Sequence, residues 1–485
     1  MDAAELQRGS DWSAWRVTVA GIGIAGYAAA DALMQLGADV TIVDATDGER
    51  QRERGGILET LGATVLLGHE GGLPDGTQLL IVSPGLRPSA PLIVEALDRA
   101  IPVWGELELA WRLRDPENAA AWLCITGTNG KTTTTLMLES MLREAGYRTA
   151  SAGNIGTSLI DVVMHEDLEV IAVEVGAPQL PFIESVCPVA SVCLNVADDH
   201  IDHFGSMDAY VAAKARVYER TQEAAVYNVQ DDQTLRLVEE ADVIDGCRAI
   251  VFTLGVPGVS MLGVVDDLLV DRAFLDNRAD TAQELARVSD VNPPAPHNVA
   301  NALAAAALAR AFGVPPTAVR DGLRAFVPAA HRIATVGAAG GATYVDDSKA
   351  TNAHAAQTSL LAYDPIVWIA GGMAKGQEFD DLVRIAGPRL RGVVLLGVDR
   401  DVIAQALARH APDVPVISIA SPDTSAMVEV VRAAAAMAQP GDTVLLAPGC
   451  ASWDMFRDYT DRGRRFAEAA SGLPGFTPSA GGRDE

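Results

Sequence analysis

Residues 121–135 read "AWLCITGTNGKTTTT". Leu123, Cys124 and Ile125 form an apolar run with the character of a buried strand, and Leu138, Met141, Leu142 and Ala145 then recur at helical spacing until Gly146 can cap the end. Between them lies a loop in which Gly127 and Gly130 let backbone N–H groups turn inward. Lys131 adds a mobile cation, and the Thr132 hydroxyl can reach a magnesium ion. A glycine-rich loop between a strand and a helix N-terminus favours anions, because unsatisfied amides and the macrodipole both point at it. The segment therefore predicts a nucleotide-phosphate cradle, formed by Gly127, Thr128, Asn129, Gly130, Lys131, Thr132 and Thr133, in a parallel α/β domain. Ile125 stands where the general P-loop pattern has its first glycine, so the match to that pattern is partial.

Upstream, "RVTVAGIGIAGYAAADALMQLGADVTIVDA" (16–45) carries a short strand into Gly21-x-Gly23-x-x-Gly26, a helix, and a second strand ending at Asp44. This is the dinucleotide-type fingerprint in a strand–turn–helix–strand setting, with the acidic residue about 20 positions on. A further apolar strand ends in "LLIVSPGL" (79–86), where Ser83, Pro84 and Gly85 make a turn at the expected carboxyl edge of a parallel sheet. Downstream, strands are expected at "VIAVEV" (170–175), "ASVCLNV" (190–196) and "AAVYN" (224–228). After a change near "RAFVPAAHR" (324–332) they are expected at "ATYVDDS", "PIVWIAGG", "GVVLLG", "VPVISIA" and "DTVLLAPG". A Gly/Pro-rich tail follows Ser471.

Size agrees with several such blocks: 485 residues exceed a single core. With 49% hydrophobic and 21% charged residues the composition is that of a globular enzyme. The net charge of −27 argues against general binding to nucleic acid or anionic membranes. No apolar run reaches the roughly 18 residues of a spanning helix, and "MDAAELQRGSDW" at the N-terminus shows no secretory signal. A cytoplasmic protein without membrane insertion is expected. Cys124, Cys187, Cys193, Cys247 and Cys450 show no CxxC spacing and predict reduced core residues.

"CLNVADDHIDHFGSMDAYVAAKARVY" (193–218) places Asp198, Asp199 and His200 just past an apolar strand, with Lys214 beyond, while Glu174 ends the preceding strand. Together these can build a metal site beside the phosphates, since magnesium takes oxygen ligands and shares them with phosphate groups.

With "GTNGKTT" (127–133), "LNVADDHIDHF" (194–204), the Ala-Ala-Lys ending at Lys214 and "HNVANALAA" (297–305), the chain resembles the Mur ligase family. The resemblance covers nearly the whole chain. It implies an α/β protein of three domains: an N-terminal Rossmann-like UDP-sugar-binding domain (1–114), a central P-loop-type ATPase domain with a mostly parallel sheet (115–328), and a C-terminal Rossmann-like amino-acid-binding domain (329–485). Within the family, "AHRIATV" (330–336), "VDDSKATNAHAA" (345–356) and "PGCASWDMFRDYTDRG" (448–463) are most similar to members that join D-glutamate to UDP-N-acetylmuramoyl-L-alanine.

By that resemblance Asn301, Arg332 and Asp347 join the phosphate loop in binding ATP, and Thr132, Glu174, His200 and Lys214 hold Mg2+, Lys214 through a carbamate. Lys131, His200, Lys214 and Lys349 serve the reaction. The sugar nucleotide meets Ile24, Ala25, Asp44, Ser83, Gly85, Asn154 and Gly156, and the amino acid meets Lys349, Thr351, Lys375, Ser452 and Tyr459. A monomer with hinges near residues 115 and 328 is expected. The chain departs from the family pattern at Gly176-Ala177-Pro178, where Ser-Ser-Phe is usual, at Met373, where an acidic residue is common, and at His203, which replaces a frequent arginine. The alternatives are another Mur-type or polyglutamate ligase with a different amine, and a catalytically weakened nucleotide-binding homologue.

Overall fold

The computed structural model describes residues 2–198 and 201–479, with the backbone alone at Ile201 and Asp202. Three sheets carry the chain. The first contains β1 (Arg16–Ala20), β2 (Asp39–Asp44), β3 (Thr64–Leu67), β4 (Leu79–Val82) and β5 (Val103–Gly105) in the order β3-β2-β1-β4-β5, all parallel. The order reverses between β1 and β4, so the two loops leaving their C-terminal ends diverge and open a crevice there.

The second sheet has nine strands. Its parallel part consists of β6 (Ala121–Thr126), β7 (Thr149–Gly153), β8 (Val170–Glu174), β9 (Ala190–Cys193), β10 (Ala224–Asn228) and β11 (Arg248–Phe252), extended by β12 (Met261–Val265). An antiparallel edge follows, β13 (Leu268–Asp271) and β14 (Gln283–Arg287), giving the order β14-β13-β12-β11-β10-β9-β6-β8-β7. That edge was not foreseen from the sequence. Its strands are short and carry "VVDDLLVD" (264–271), where the turn acids Asp266 and Asp267 mask the alternation.

In the third sheet β15 (Ala334–Ala339), β16 (Ala342–Asp346), β17 (Ile366–Gly371), β18 (Leu390–Leu396), β19 (Val416–Ser418), β20 (Thr443–Leu446) and β21 (Thr477–Pro478) run in the order β19-β18-β17-β20-β16-β15-β21. The five strands expected from the sequence are the parallel ones. The Gly/Pro-rich tail after Ser471 contributes the short edge strand β21, antiparallel to β15.

By contact density the chain forms two compact units, one running to Pro294 and including Asn298–Phe326, the other containing Ala295–His297 and Val327 onward. The first two sheets thus lie in one unit. The connection near 115, expected to be a hinge, is packed: Arg114 stacks on Trp111, 3.1 Å from the ring centroid, and Trp111 meets Trp122 edge-on. Burial of Arg114 pulls its pKa down to about 10. One apolar cluster runs from Leu6 and Trp12 through Trp104 and Leu107 to Trp122, Leu180 and Tyr218. Rotation about residue 115 would expose this shared core. Among the described residues no helix is long and apolar enough to cross a membrane.

Candidate active site

The phosphate loop leaves β6 and enters the helix Lys131–Glu144, as its pattern predicts. Gly130 sits at φ +85° as the N-cap, and a Cβ there would collide with Asn301 Oδ1. Asn301, on the helix Pro296–Ala311, is therefore packed against the loop, although 171 residues of sequence separate it from Gly130. Lys131 Nζ folds back to donate to the carbonyls of Gly127 (2.8 Å) and Thr128 (3.0 Å).

Beside the helix N-terminus stands Glu174, the last residue of β8 and 2% exposed. Its Oε2 accepts from Thr132 Oγ1 at 2.6 Å and its Oε1 from Asn154 Nδ2 at 3.0 Å. Two residues expected at the metal are thus in direct contact, and Asn154, expected along the sugar-nucleotide chain, faces the same carboxylate. Gly156 lies two residues on, exposed in a turn at φ +50°. The donors gathered here are oxygens, which suits magnesium. Among the described residues no three His, Cys, Asp or Glu side chains cluster in the manner of a self-contained metal site. Asp199 and His200 lie outside the described residues.

Lys214 is buried to 1% exposure on the helix Met207–Ala215, with Nζ 4.7 Å from the centroid of the Tyr210 ring. The Tyr210 hydroxyl is 3.0 Å from Thr128 Oγ1, which in turn donates to Ala197 O. This chain of contacts connects the lysine helix, the phosphate loop and the loop after β9. Sequence reasoning missed Asn195, which secures the same junction: its Oδ1 accepts from Asn129 N at 2.8 Å and its Nδ2 donates to Asn129 O at 3.1 Å. Its position in the Leu-Asn-Val strand end was the available signal. The cysteines are free, and burial pushes the Cys124 and Cys193 thiols up to about 12 and 11.

In the first sheet Gly21 is at φ +95°, and a Cβ on Gly26 would collide with Gly21 O. Ser83 Oγ donates to Gly21 O at 3.2 Å. Asp44 accepts from Ile22 N (2.9 Å) and from Thr46 N and Oγ1 (2.9 and 2.6 Å), so its carboxylate braces the loop. Ile24 opens the helix Ile24–Gln35 and is 58% exposed, with Ala25 half-buried behind it; Gly85 is exposed in its turn.

In the second compact unit Lys349 Nζ is 4.0 Å from the centroid of Tyr459, and Lys375 Nζ 4.2 Å from that of Trp453, next to the buried Ser452. The Lys349 loop is tightened by Thr351 N donating to Lys349 O at 2.8 Å. Arg462, which the sequence did not single out, is fully buried and donates to Ser348 Oγ, Ser348 O and Cys450 O, joining the Lys349 loop to the Ser452 loop. Burial lowers its pKa to about 10. Asp347 accepts from Ser359 Oγ, and its carboxyl is pushed up to about 7 by burial, with neighbouring Asp346 adding to the shift. Asp346 Oδ2 is 2.6 Å from His331 Nδ1; Arg332 follows directly in the chain and is half-buried.

The fold and the central loop define a phosphate-binding α/β protein of the P-loop type. The family described as "Mur ligase middle domain" matches residues 125–309, and "Mur ligase, glutamate ligase domain" matches residues 331–450. The chain belongs to the Mur ligase family. It is 57% identical to the UDP-N-acetylmuramoylalanine--D-glutamate ligase of Streptomyces avermitilis, over 96% of this chain and 99% of the relative. With the protein of that name from Mycobacterium bovis the identity is 43%, covering 93% and 95%. Among solved structures, the UDP-N-acetylmuramate-alanine ligase MurC of Thermotoga maritima has the same fold at 20% identity, with a TM-score of 0.55 over 93% of this chain and 98% of that one. MurF from Acinetobacter baumannii has a TM-score of 0.55 at 20% identity, covering 89% and 90%.

Proposed function

We propose that the chain is an ATP-dependent ligase that joins D-glutamate to UDP-N-acetylmuramoyl-L-alanine in cytoplasmic peptidoglycan precursor synthesis. The observation that carries this reading is the contact of Thr132 with buried Glu174 beside Lys131, in a chain 57% identical over 96% of its length to a ligase named for that reaction. The proposed division of labour is 1–114 for the sugar nucleotide, 115–328 for ATP and 329–485 for the amino acid.

In this reading the amides of Gly127–Thr133 and the Lys131 ammonium cradle the β- and γ-phosphates, with Asn301, Arg332 and Asp347 completing the nucleotide site. Lys131 offsets repulsion as the substrate carboxylate attacks the γ-phosphorus, giving an acyl phosphate and ADP. The amine of D-glutamate then attacks the acyl carbon and phosphate leaves. Lys349, Thr351, Lys375, Ser452 and Tyr459 orient the amino acid, and Ile24, Ala25, Asp44, Ser83, Gly85, Asn154 and Gly156 border the sugar nucleotide. Thr132, Glu174, His200 and a carbamate on Lys214 would hold Mg2+, which supplies charge neutralisation at the transferring phosphoryl group. Lys214 is 1% exposed, and a carbamate would form there by addition of its amine to carbon dioxide with loss of a proton. A monomer is proposed.

The test is ATP-dependent phosphate release with UDP-N-acetylmuramoyl-L-alanine and a panel of amino acids. D-Glutamate alone should support turnover. Release driven equally by L-alanine, a diamino acid or L-glutamate would replace the assignment with a sister ligase, and no release with any amine would leave a nucleotide-binding homologue.

A further inference from the structure

Glu106 opens the helix Glu106–Arg112 directly after β5 of the first sheet, yet its carboxylate is 4% exposed and is satisfied by residues of the second. Oε1 accepts from Ser158 Oγ and Leu159 N, both at 3.1 Å, and Oε2 accepts from Gln179 Nε2 at 3.0 Å. Gln179 is 2% exposed, and its other end, Oε1, accepts from Gly176 N at 2.8 Å. Gly176 lies two residues after Glu174, in the Gly-Ala-Pro stretch where the chain departs from the family pattern.

The polarity of this relay is forced. Gly176 N–H can only donate, so it takes the carbonyl end of Gln179 and leaves the NH2 end for Glu106 Oε2, an acceptor in either protonation state of this carboxyl, whose pKa burial raises. We propose that Glu106 is a positioning residue for the turn Glu174–Gly176, acting through the orientation it imposes on the Gln179 amide. The inference rests on the reading of Glu174 as a metal ligand. Serines are absent from 176 and 177, so the backbone of this turn depends on Gln179 for the bond at Gly176 N. The first sheet thereby sets the geometry of a site built in the second.

Exchanging the polarity tests this. In Glu106→Gln the new side chain keeps its oxygen toward Ser158 and Leu159 and presents NH2 to Gln179, which must reverse and set NH2 against Gly176 N–H. In Glu106→Gln/Gln179→Glu the carboxylate at 179 accepts from both sides and the relay is restored with volume unchanged. Outer-shell groups of this kind change metal affinity or activity about 10- to 100-fold. Glu106→Gln should weaken Mn2+ binding in the presence of ADP, read by electron paramagnetic resonance, and lower kcat, each by about tenfold, with the KM for D-glutamate within about twofold. The double variant should recover both to within about threefold. Should Glu106→Gln not accumulate as folded protein, Gln179→Met, which removes both bonds, reads the same quantities. A double variant no better than Glu106→Gln, or a D-glutamate KM that rises as much as kcat falls, overturns the proposal. Glu174→Gln measured alongside separates the two claims: if it loses Mn2+ while the double variant fails to recover, only the positioning role falls, and if it binds Mn2+ normally the metal-site reading falls with it.

Discussion

The loop after β1 and the loop after β6 are the same supersecondary unit, a parallel strand feeding a helix through a glycine at positive φ (Gly21 at +95°, Gly130 at +85°), yet they differ in what an added side chain would meet. In the first, a Cβ on Gly26 would collide with backbone, at Gly21 O. In the second, a Cβ on Gly130 would collide with a side chain, at Asn301 Oδ1. They differ again in charge. The first loop has no cation of its own: Arg54 Nη1 donates to Ile22 O from the neighbouring helix at 3.1 Å, and Asp44 accepts from Ile22 N, so an acid and a base both brace it. The second carries Lys131 and faces Thr132 and Glu174. A glycine fingerprint therefore specifies close approach of backbone, and the side chains around it decide what chemistry the loop can serve.

The largest effect expected is at Lys131. Lys131→Ala should lower kcat about 10²- to 10³-fold while the melting temperature stays within a few degrees, because the charge is needed as it moves off the γ-phosphate. A folded variant with near-normal turnover would erase the contrast between the loops. Gly26→Ala, which inserts a methyl group against backbone, should instead cost stability, on the order of 2–4 kcal/mol by denaturant titration. An unchanged unfolding midpoint would show that the first loop tolerates what its packing forbids.

A residue outside both loops calibrates them. The Asp347 carboxyl is held protonated up to about 7 in the folded chain, against an ordinary value of 3.8, so the folded state binds the proton more tightly. Its contribution to stability is present at low pH and is lost as pH rises from about 4 through 7. Asp347→Asn, which cannot ionise, should therefore raise the melting temperature relative to the parent more at pH 8 than at pH 5. A gain independent of pH would mean that the carboxyl is ionised throughout. The smallest effect is at Asp44. Asp44→Asn should cost about 1 kcal/mol and raise the KM for the sugar nucleotide a few-fold with kcat preserved. A collapse of kcat would place Asp44 in the phosphoryl transfer after all.

The parallel α/β character was legible because β6, β8, β17 and β20 are continuous apolar runs flanked by glycine, the signature of strands covered on both faces. The strands β12–β15 and β21, at and next to the sheet margins, were not, since strands of two to six residues carry too little pattern to separate from loops. At the site, Lys131, Thr132 and Glu174 could be assembled from strand-end positions. Arg462 and the bracing of Glu174 by Asn154 could not, because an asparagine or arginine in sequence carries no mark of the carbonyl or carboxylate it will face. The hinge near 115 failed for the same reason. "RLRDPENAA" has the composition of a linker, and only packing reveals that Arg114 lies on Trp111.

By itself the sequence determined which residue types stand at which strand ends, and hence the chemistry available, because glycine dihedral freedom, lysine charge and strand periodicity are local properties. The tertiary structure decided which of those groups meet. Glu106 and Gln179 are 73 residues apart and bond only because two sheets share a core. The cost of burying a carboxylate makes such a partner obligatory, and nothing in the local sequence says where that partner will come from.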